Sequence, residues 1–247
     1  CKSLLHKNIL DDQHLEYLYS NVIPSSWYKE DINIAKKKFS KYKKNNSDLA
    51  EFLQRKFFNK PIKVLDYGSG EVYYKDLKGK ISYSTYDLAD KHSKQATNTS
   101  LMDLKNKQYD LIFLNQILEH AKNPYEIIKS LENVLSPGGI IKIENPSSSF
   151  VKFKILLLNA HMKIRKDLIE DIFPLEHINC ISNRGMRVMT KNFKYMPFLT
   201  AKCYFVQNKG LKAVYKYLSI NLYIFRLLSS LLTNKNGGHY IVLKKIT

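Results

Sequence analysis

Arginine is scarce in this chain: of 40 basic residues only five are Arg (Arg55, Arg165, Arg184, Arg187 and Arg226) and the rest are Lys. Arginine is the side chain that grips phosphates and base edges bidentately, so no nucleic-acid partner is expected despite a net charge of +18. No Arg-rich or aromatic surface of the kind that stacks RNA bases stands out either. Lysine runs such as Lys36-Lys37-Lys38 and Lys41 to Lys44 read as solvated helix faces. Cysteine is also sparse. Cys1, Cys180 and Cys203 have no metal-ligand spacing and cannot all pair with one another, which fits a reducing cytoplasm. No secretory signal is visible, and the chain begins at Cys1 without a Met. Long apolar runs are missing as well. The most apolar stretch, Leu211 to Leu232, is interrupted by Lys212, Lys216, Asn221 and Arg226, and falls short of the roughly 20 apolar residues of a spanning helix. Repeats and low-complexity linkers are absent.

What remains is a chain of 247 residues, 44% apolar and 12% aromatic, long enough for one large α/β domain with a substantial core. Residues 1–60 form a helical lead-in, with apolar positions at helical spacing at Leu15, Leu18, Tyr19 and Val22, and again at Leu49, Phe52, Leu53 and Phe57. Ser47-Asp48 is expected to cap the second of these helices. From Pro61 the pattern alternates in the βα manner. Ile62 to Tyr67, Ile81 to Asp87 and Tyr109 to Asn115 read as strands, and each ends in polar residues, where ligands bind in open α/β sheets. Pro124 to Leu135 is an amphipathic helix with Asn123 as its cap, and Ser136-Pro137-Gly138-Gly139 turns it into the strand Ile140 to Glu144. Further along, helices are expected within 150–172 and 181–192, a strand at 199–207, an apolar helix at 211–232 and a last strand at 239–246. The lead-in and a second unit, 61–247, with helical insertions at about 150–192 and 211–232, make up the expected organisation.

The chemistry concentrates at the strand ends. Gly68-Ser69-Gly70 follows the strand ending in Asp66-Tyr67, and glycine there lets backbone approach a ligand closely. Glu71 stands at the helix entrance and would repel a pyrophosphate, so a nucleoside without phosphates suits the turn better. Asp87, followed by Leu88, closes the second strand, where a carboxylate can accept from both ribose hydroxyls or merely cap a turn. Asp103 could accept from an adenine amino group while Leu101 or Met102 packs on the ring, or it is a surface turn residue.

The ordered set resembles the class I S-adenosylmethionine-dependent methyltransferases: Val64-Leu65-Asp66-Tyr67-Gly68-Ser69-Gly70, then Asp87, then Asp103, then Tyr109 to His120, then Leu135-Ser136-Pro137-Gly138-Gly139. Ile117-Leu118-Glu119-His120 followed by Asn123-Pro124 is similar to the branch of ubiquinone-pathway and bacterial sugar methyltransferases. The resemblance implies an α/β Rossmann-like fold, a seven-stranded, mostly parallel sheet with helices on both faces and an antiparallel last strand. It implies S-adenosylmethionine as cofactor, with Asp66, Tyr67, Gly68, Ser69 and Gly70 forming its loop and Asp87 and Leu88 at the ribose. Met102 and Asp103 would meet the adenine, and Asn115 the methionine end. Tyr67 and Glu71 depart from the small residues more usual in the family. Tyr17-Leu18-Tyr19-Ser20 resembles the join to a small zinc-binding module in certain sugar methyltransferases.

Methyl transfer from a sulfonium needs the nucleophile held in line, and a base when that nucleophile is an oxygen or nitrogen bearing a proton. His120 and His177 suit that task near neutral pH, and each has the alternative of a structural histidine. Glu119 is a further catalytic candidate; Glu144, Asn145 and Tyr28 are candidates for contacting the acceptor. A metal site built from Glu119, His120 and a third ligand finds no support in the sequence alone, so no metal is expected. The expected acceptor is small and polar, a sugar or nucleotide-activated sugar of bacterial surface polysaccharide, held by the lysine surplus if phosphorylated. A quinone or lipid-linked precursor met at the membrane surface by Leu211 to Leu232 is the alternative, as is a non-catalytic binding protein. The same stretch would otherwise pack the core or a homodimer.

Overall fold

Tyr109–Asn115 reads Tyr-Asp-Leu-Ile-Phe-Leu-Asn, and every one of its seven residues is buried. A strand without an exposed face belongs in the middle of a sheet covered on both sides. The computed structural model, which describes residues 3–5, 10–18, 21, 32–69, 74, 79–87, 104, 106–146, 148–159, 177–207 and 238–246, places it there. In chain order the elements are β1 (Leu4–Leu5), α1 (Asp12–Tyr17), α2 (Ile32–Leu53), β2 (Ile62–Tyr67), β3 (Ile81–Tyr86), β4 (Tyr109–Asn115), α3 (Pro124–Val134), β5 (Leu135–Pro146), α4 (Ser148–Asn159), β6 (Asn179–Cys180), α5 (Asn183–Met189), β7 (Phe193–Tyr195), α6 (Pro197–Gln207) and β8 (Gly238–Lys245).

The main sheet runs β3-β2-β4-β5-β8-β7. β3, β2, β4 and β5 are parallel, and β8 is antiparallel to both β5 and β7. This is the expected Rossmann-like architecture with a reversed last strand. The described sheet has six strands where seven were expected. Side chains alternate between its faces. Val64, Leu111, Phe113, Ile140 and Val242 join Leu49, Ala50 and Leu53 of α2 and Cys203 of α6 in one core. Leu65, Ile112, Leu114, Ile141 and Ile143 join Ile128, Leu131 and Val134 of α3 and Met186 of α5 in the other. Each fully buried aliphatic side chain stabilises the fold by about 1.5–3 kcal/mol.

Helix α2 shows how periodicity overrides local punctuation. Its buried residues Asn46, Leu49, Ala50 and Leu53 recur at helical spacing and hold the chain against β2 and β3. Ser47-Asp48, expected to start a helix, therefore lies inside a continuous one. A π-helical turn, Gln54–Phe58, ends it at Asn59, whose φ is 51° and whose N–H donates to the Gln54 carbonyl at 2.7 Å.

Three other expectations are corrected. Residues 199–207 form helix rather than strand, because Pro197 opens α6 and a face carrying Thr200 and Cys203, each with no exposed surface, packs on β8. The Thr200 hydroxyl accepts from the Val242 N–H at 3.0 Å. β5 begins at Leu135, not Ile140; Ser136 to Gly139 lie within the strand, beside a register shift between Tyr109 and Leu111 of β4. Leu4–Leu5, within the expected helical lead-in, is instead extended and pairs antiparallel with Cys180 and Asn179 of β6. The expected helix at 211–232 lies outside the described residues. Among the described residues no helix is long and apolar enough to cross a membrane.

Candidate active site

The carboxyl ends of the four parallel strands set the site. Gly68 follows β2 with φ +79°, and a Cβ there would come within 1.9 Å of Ile117 Cδ1. Only glycine combines that conformation with that approach. The N–H groups of Gly68 and Ser69 donate to the Tyr86 carbonyl at 2.7 and 3.2 Å, fastening the turn to the end of β3 beside Asp87. The Tyr67 and Tyr86 rings lie 4.8 Å apart there. Burial pushes both phenols up, and the Asp87 charge adds to the effect. Gly70, Leu88, Met102, Asp103 and Tyr28, named from the sequence, lie outside the described residues.

On the α2 face, the alternation of strand side chains lines up Asp66 of β2, Asn115 of β4, and Lys142 and Glu144 of β5. Asp66 has no exposed surface. Its carboxylate accepts from the Tyr74 hydroxyl at 2.6 Å and the Tyr42 hydroxyl at 3.1 Å. Asn46 donates to the Tyr74 hydroxyl at 2.9 Å, and Asn115 donates to the Tyr42 hydroxyl at 2.9 Å. The Lys142 ammonium, with 1% of its residue exposed, donates to Asn115 Oδ1 and to Glu144 Oε2, the latter at 2.5 Å. It also lies 4.6 Å from the centre of the Tyr240 ring. Burial pushes the Asp66 carboxyl from 3.8 up to about 6, a rise that hydrogen bonds from Tyr74 and Tyr42 and the nearby Lys142 charge hold down only in part. Asp66 thus ties α2 and residue 74 to the strand from which the glycine turn leaves.

Lys142, Tyr74 and Asn46 were not picked out from the sequence. The signal for Lys142 was present: a lysine between Ile141 and Ile143, in a strand covered on both faces, must find acidic or carbonyl partners. Asn145 is buried and donates to the Pro146 carbonyl at 2.9 Å, so its amide serves the end of β5.

A second cluster forms in the loop after β4. Gln116 turns the chain with φ 55°, its N–H donating to the Glu144 carbonyl at 2.6 Å. Glu119 and His120 follow in a short turn closed by the His120 N–H on the Ile117 carbonyl at 3.0 Å. Asn179 of β6 brings a distant part of the chain to them. Its N–H donates to the Glu119 carbonyl at 2.9 Å, and its side-chain amide donates to the carbonyls of Leu118 and Ala121. His177 thereby packs edge-on against His120, with ring centres 4.8 Å apart. The buried Glu119 completes the group: one donor atom from each of Glu119, His120 and His177 lies within 4.8 Å of the others. All three were candidates in the sequence, where 56 residues separate His120 from His177.

Residues 39–195 match the family model of a methyltransferase domain, well over half of the chain. No curated protein sequence matches. Among solved structures, the plantazolicin methyltransferase BamL, in complex with a triazolic desmethylPZN analog and SAH, has a TM-score of 0.55 at 16% identity, with 95% of each chain covered. The plantazolicin methyltransferase BpumL in complex with SAH has a TM-score of 0.52 at 15% identity, with 94% of each chain covered. At such identities the likeness is one of fold.

Proposed function

This chain belongs to the methyltransferase domain family and is an S-adenosylmethionine-dependent methyltransferase, and from that premise we propose that it methylates an oxygen or nitrogen of a small polar acceptor. The acceptor class we favour is a sugar or nucleotide-activated sugar of surface polysaccharide synthesis. The observation that carries the reading is the meeting of Glu119, His120 and His177 in the loop beyond β4. Two imidazoles and a carboxylate in one place suit the removal of a proton from an O–H or N–H acceptor. The excess of lysine over acidic residues favours an acceptor that carries phosphate.

The residues present fit the cofactor. Gly68, at φ +79°, lets the turn pass tight against Ile117 at the end of β2, and Asp87 follows Tyr86, whose carbonyl holds that turn, as an acceptor for a diol. Glu144, part-exposed near the carboxyl end of β5, offers an acceptor for the amino group of an amino-acid end, with Asn115 opposite it at the end of β4. When bound, S-adenosylmethionine supplies a methyl group on a sulfonium, which is transferred by in-line displacement. The chain's own work is to hold the acceptor still, exclude water and activate its O–H or N–H at the Glu119-His120-His177 cluster. Asp66 acts at one remove, positioning the glycine turn through Tyr42 and Tyr74.

The test is to incubate the purified chain and labelled S-adenosylmethionine with nucleotide-sugar, lipid and peptide pools, and to search each by mass spectrometry for the gain of one methyl. A labelled sugar or nucleotide sugar is the expected product. Label confined to the lipid or peptide pool would contradict the acceptor class.

A further inference from the structure

We propose that Glu119, His120 and His177 hold a first-row divalent metal ion of the zinc and manganese class, and that the ion binds the acceptor's hydroxyl. Three observations carry it. The donor atoms of the three side chains lie within 4.8 Å of one another, near enough that small side-chain rotations bring all three to one ion at about 2.0–2.2 Å. Two imidazoles and one carboxylate form a donor set that suits Zn²⁺, Mn²⁺ or Fe²⁺ rather than the all-oxygen sites of Mg²⁺ and Ca²⁺. And the Nδ1 atom of His177 is buried with no hydrogen-bond partner among the described residues. A buried imidazole nitrogen without a partner is costly, and a metal ion is a group that satisfies it.

The support around the cluster is that of a site whose shape is held by other elements. Glu119 has no exposed surface, and its main chain is fixed by the Asn179 N–H. The Asn179 amide bonds to both Leu118 and Ala121 carbonyls, so the turn carrying Glu119 and His120 is tied to the strand next to His177. That strand is paired in turn with Leu4–Leu5. Three protein ligands leave coordination positions open, which is the arrangement of catalytic rather than structural metal sites.

The inference rests on the reading of an acceptor hydroxyl at this cluster and gives it a mechanism. A hydroxyl bound to the ion loses its proton far more readily than one in water. The O–H bond breaks with its proton passing to solvent, and the oxygen lone pair forms the bond to the methyl carbon. The carbon–sulfur bond breaks with its electrons, leaving the sulfur as a neutral thioether. No oxidant or reductant is needed.

The experiment uses the full chain, stripped with chelator and dialysed, then titrated with Zn²⁺ and with Mn²⁺ by calorimetry, with metal content checked by elemental analysis. One ion per chain is expected. Glu119→Gln, His120→Ala and His177→Ala should each weaken it by at least ~100-fold, while each variant still binds S-adenosylhomocysteine as evidence of an intact fold. Absence of stoichiometric binding, or binding that survives in the three variants, overturns the site. Undiminished methylation of a sugar by chelator-stripped protein would also overturn it, leaving the acceptor reading in place. Stoichiometric metal in a protein that methylates no sugar would uphold the site and reject that acceptor instead.

Discussion

Lys142 and Glu144, two residues apart on one face of β5, meet at 2.5 Å, and the same ammonium reaches across to Asn115 at the end of β4. The ammonium thus bridges β4 and β5. Glu144 is 37% exposed at its side chain while Lys142 is sealed in, so the ammonium depends on these partners more than the carboxylate does. Lys142→Met should keep the volume but leave Asn115 and Glu144 without their donor. The expected cost is about 1–3 kcal/mol in urea denaturation, together with weaker S-adenosylhomocysteine binding by calorimetry.

Asp66 makes stability depend on pH. Its folded pKa, about 6, lies above the ordinary 3.8, so the fold favours the neutral carboxyl. The stability it contributes is full below the unfolded value and is lost as pH rises through the folded one. Asp66→Asn cannot ionise and lacks that loss. Between about pH 3.5 and about pH 7.5 the wild type should lose roughly 3 kcal/mol relative to Asp66→Asn. Denaturation curves of both proteins across that window check it; parallel pH profiles would contradict a carboxyl whose pKa is raised in the fold.

Gly68→Ala combines two penalties that can be separated. The φ of +79° costs a Cβ-bearing residue about 1–3 kcal/mol, and the new Cβ strikes Ile117. In an Ile117→Ala background the collision disappears but the backbone strain remains. The double variant should therefore recover part of the stability lost by Gly68→Ala, measured by thermal and urea unfolding, and not all of it.

Asn179 touches neither cofactor nor acceptor in this account, yet it fixes the loop that carries Glu119 and His120. Asn179→Ala should lower kcat by about 10–100-fold with S-adenosylhomocysteine affinity unchanged. A fall in cofactor affinity of the same size would show that the loop serves the cofactor instead.

How much of this was legible in the sequence follows from which forces are local. The strands β2, β3 and β4 and the helix α3 could be read because continuous burial and one-sided burial leave different patterns, and Asn123-Pro124 marks a helix start that its side chain does cap. The strand ends then placed Asp66, Gly68, Asp87 and Asn115 together without further information. Residues 199–207 misled because Tyr204, Phe205 and Val206 favour strands in isolation, whereas contact with β8 selects helix. The grouping of His177 with Glu119 and His120 depends on Asn179 bonding to a loop 58 to 61 positions away, which no local pattern encodes. Lys142 was hidden differently. Its strand was recognised, but its partners come from Asn115 on the neighbouring strand and from Glu144, and only the sheet register shows that these share a face.

Calorimetric titration decides whether the turn at Gly68 and the neighbouring Asp87 hold S-adenosylmethionine. One molecule of S-adenosylmethionine or S-adenosylhomocysteine should bind per chain, and Asp87→Ala should weaken that binding by about 10–100-fold. No detectable binding, or binding of equal strength in Asp87→Ala, would contradict the claim.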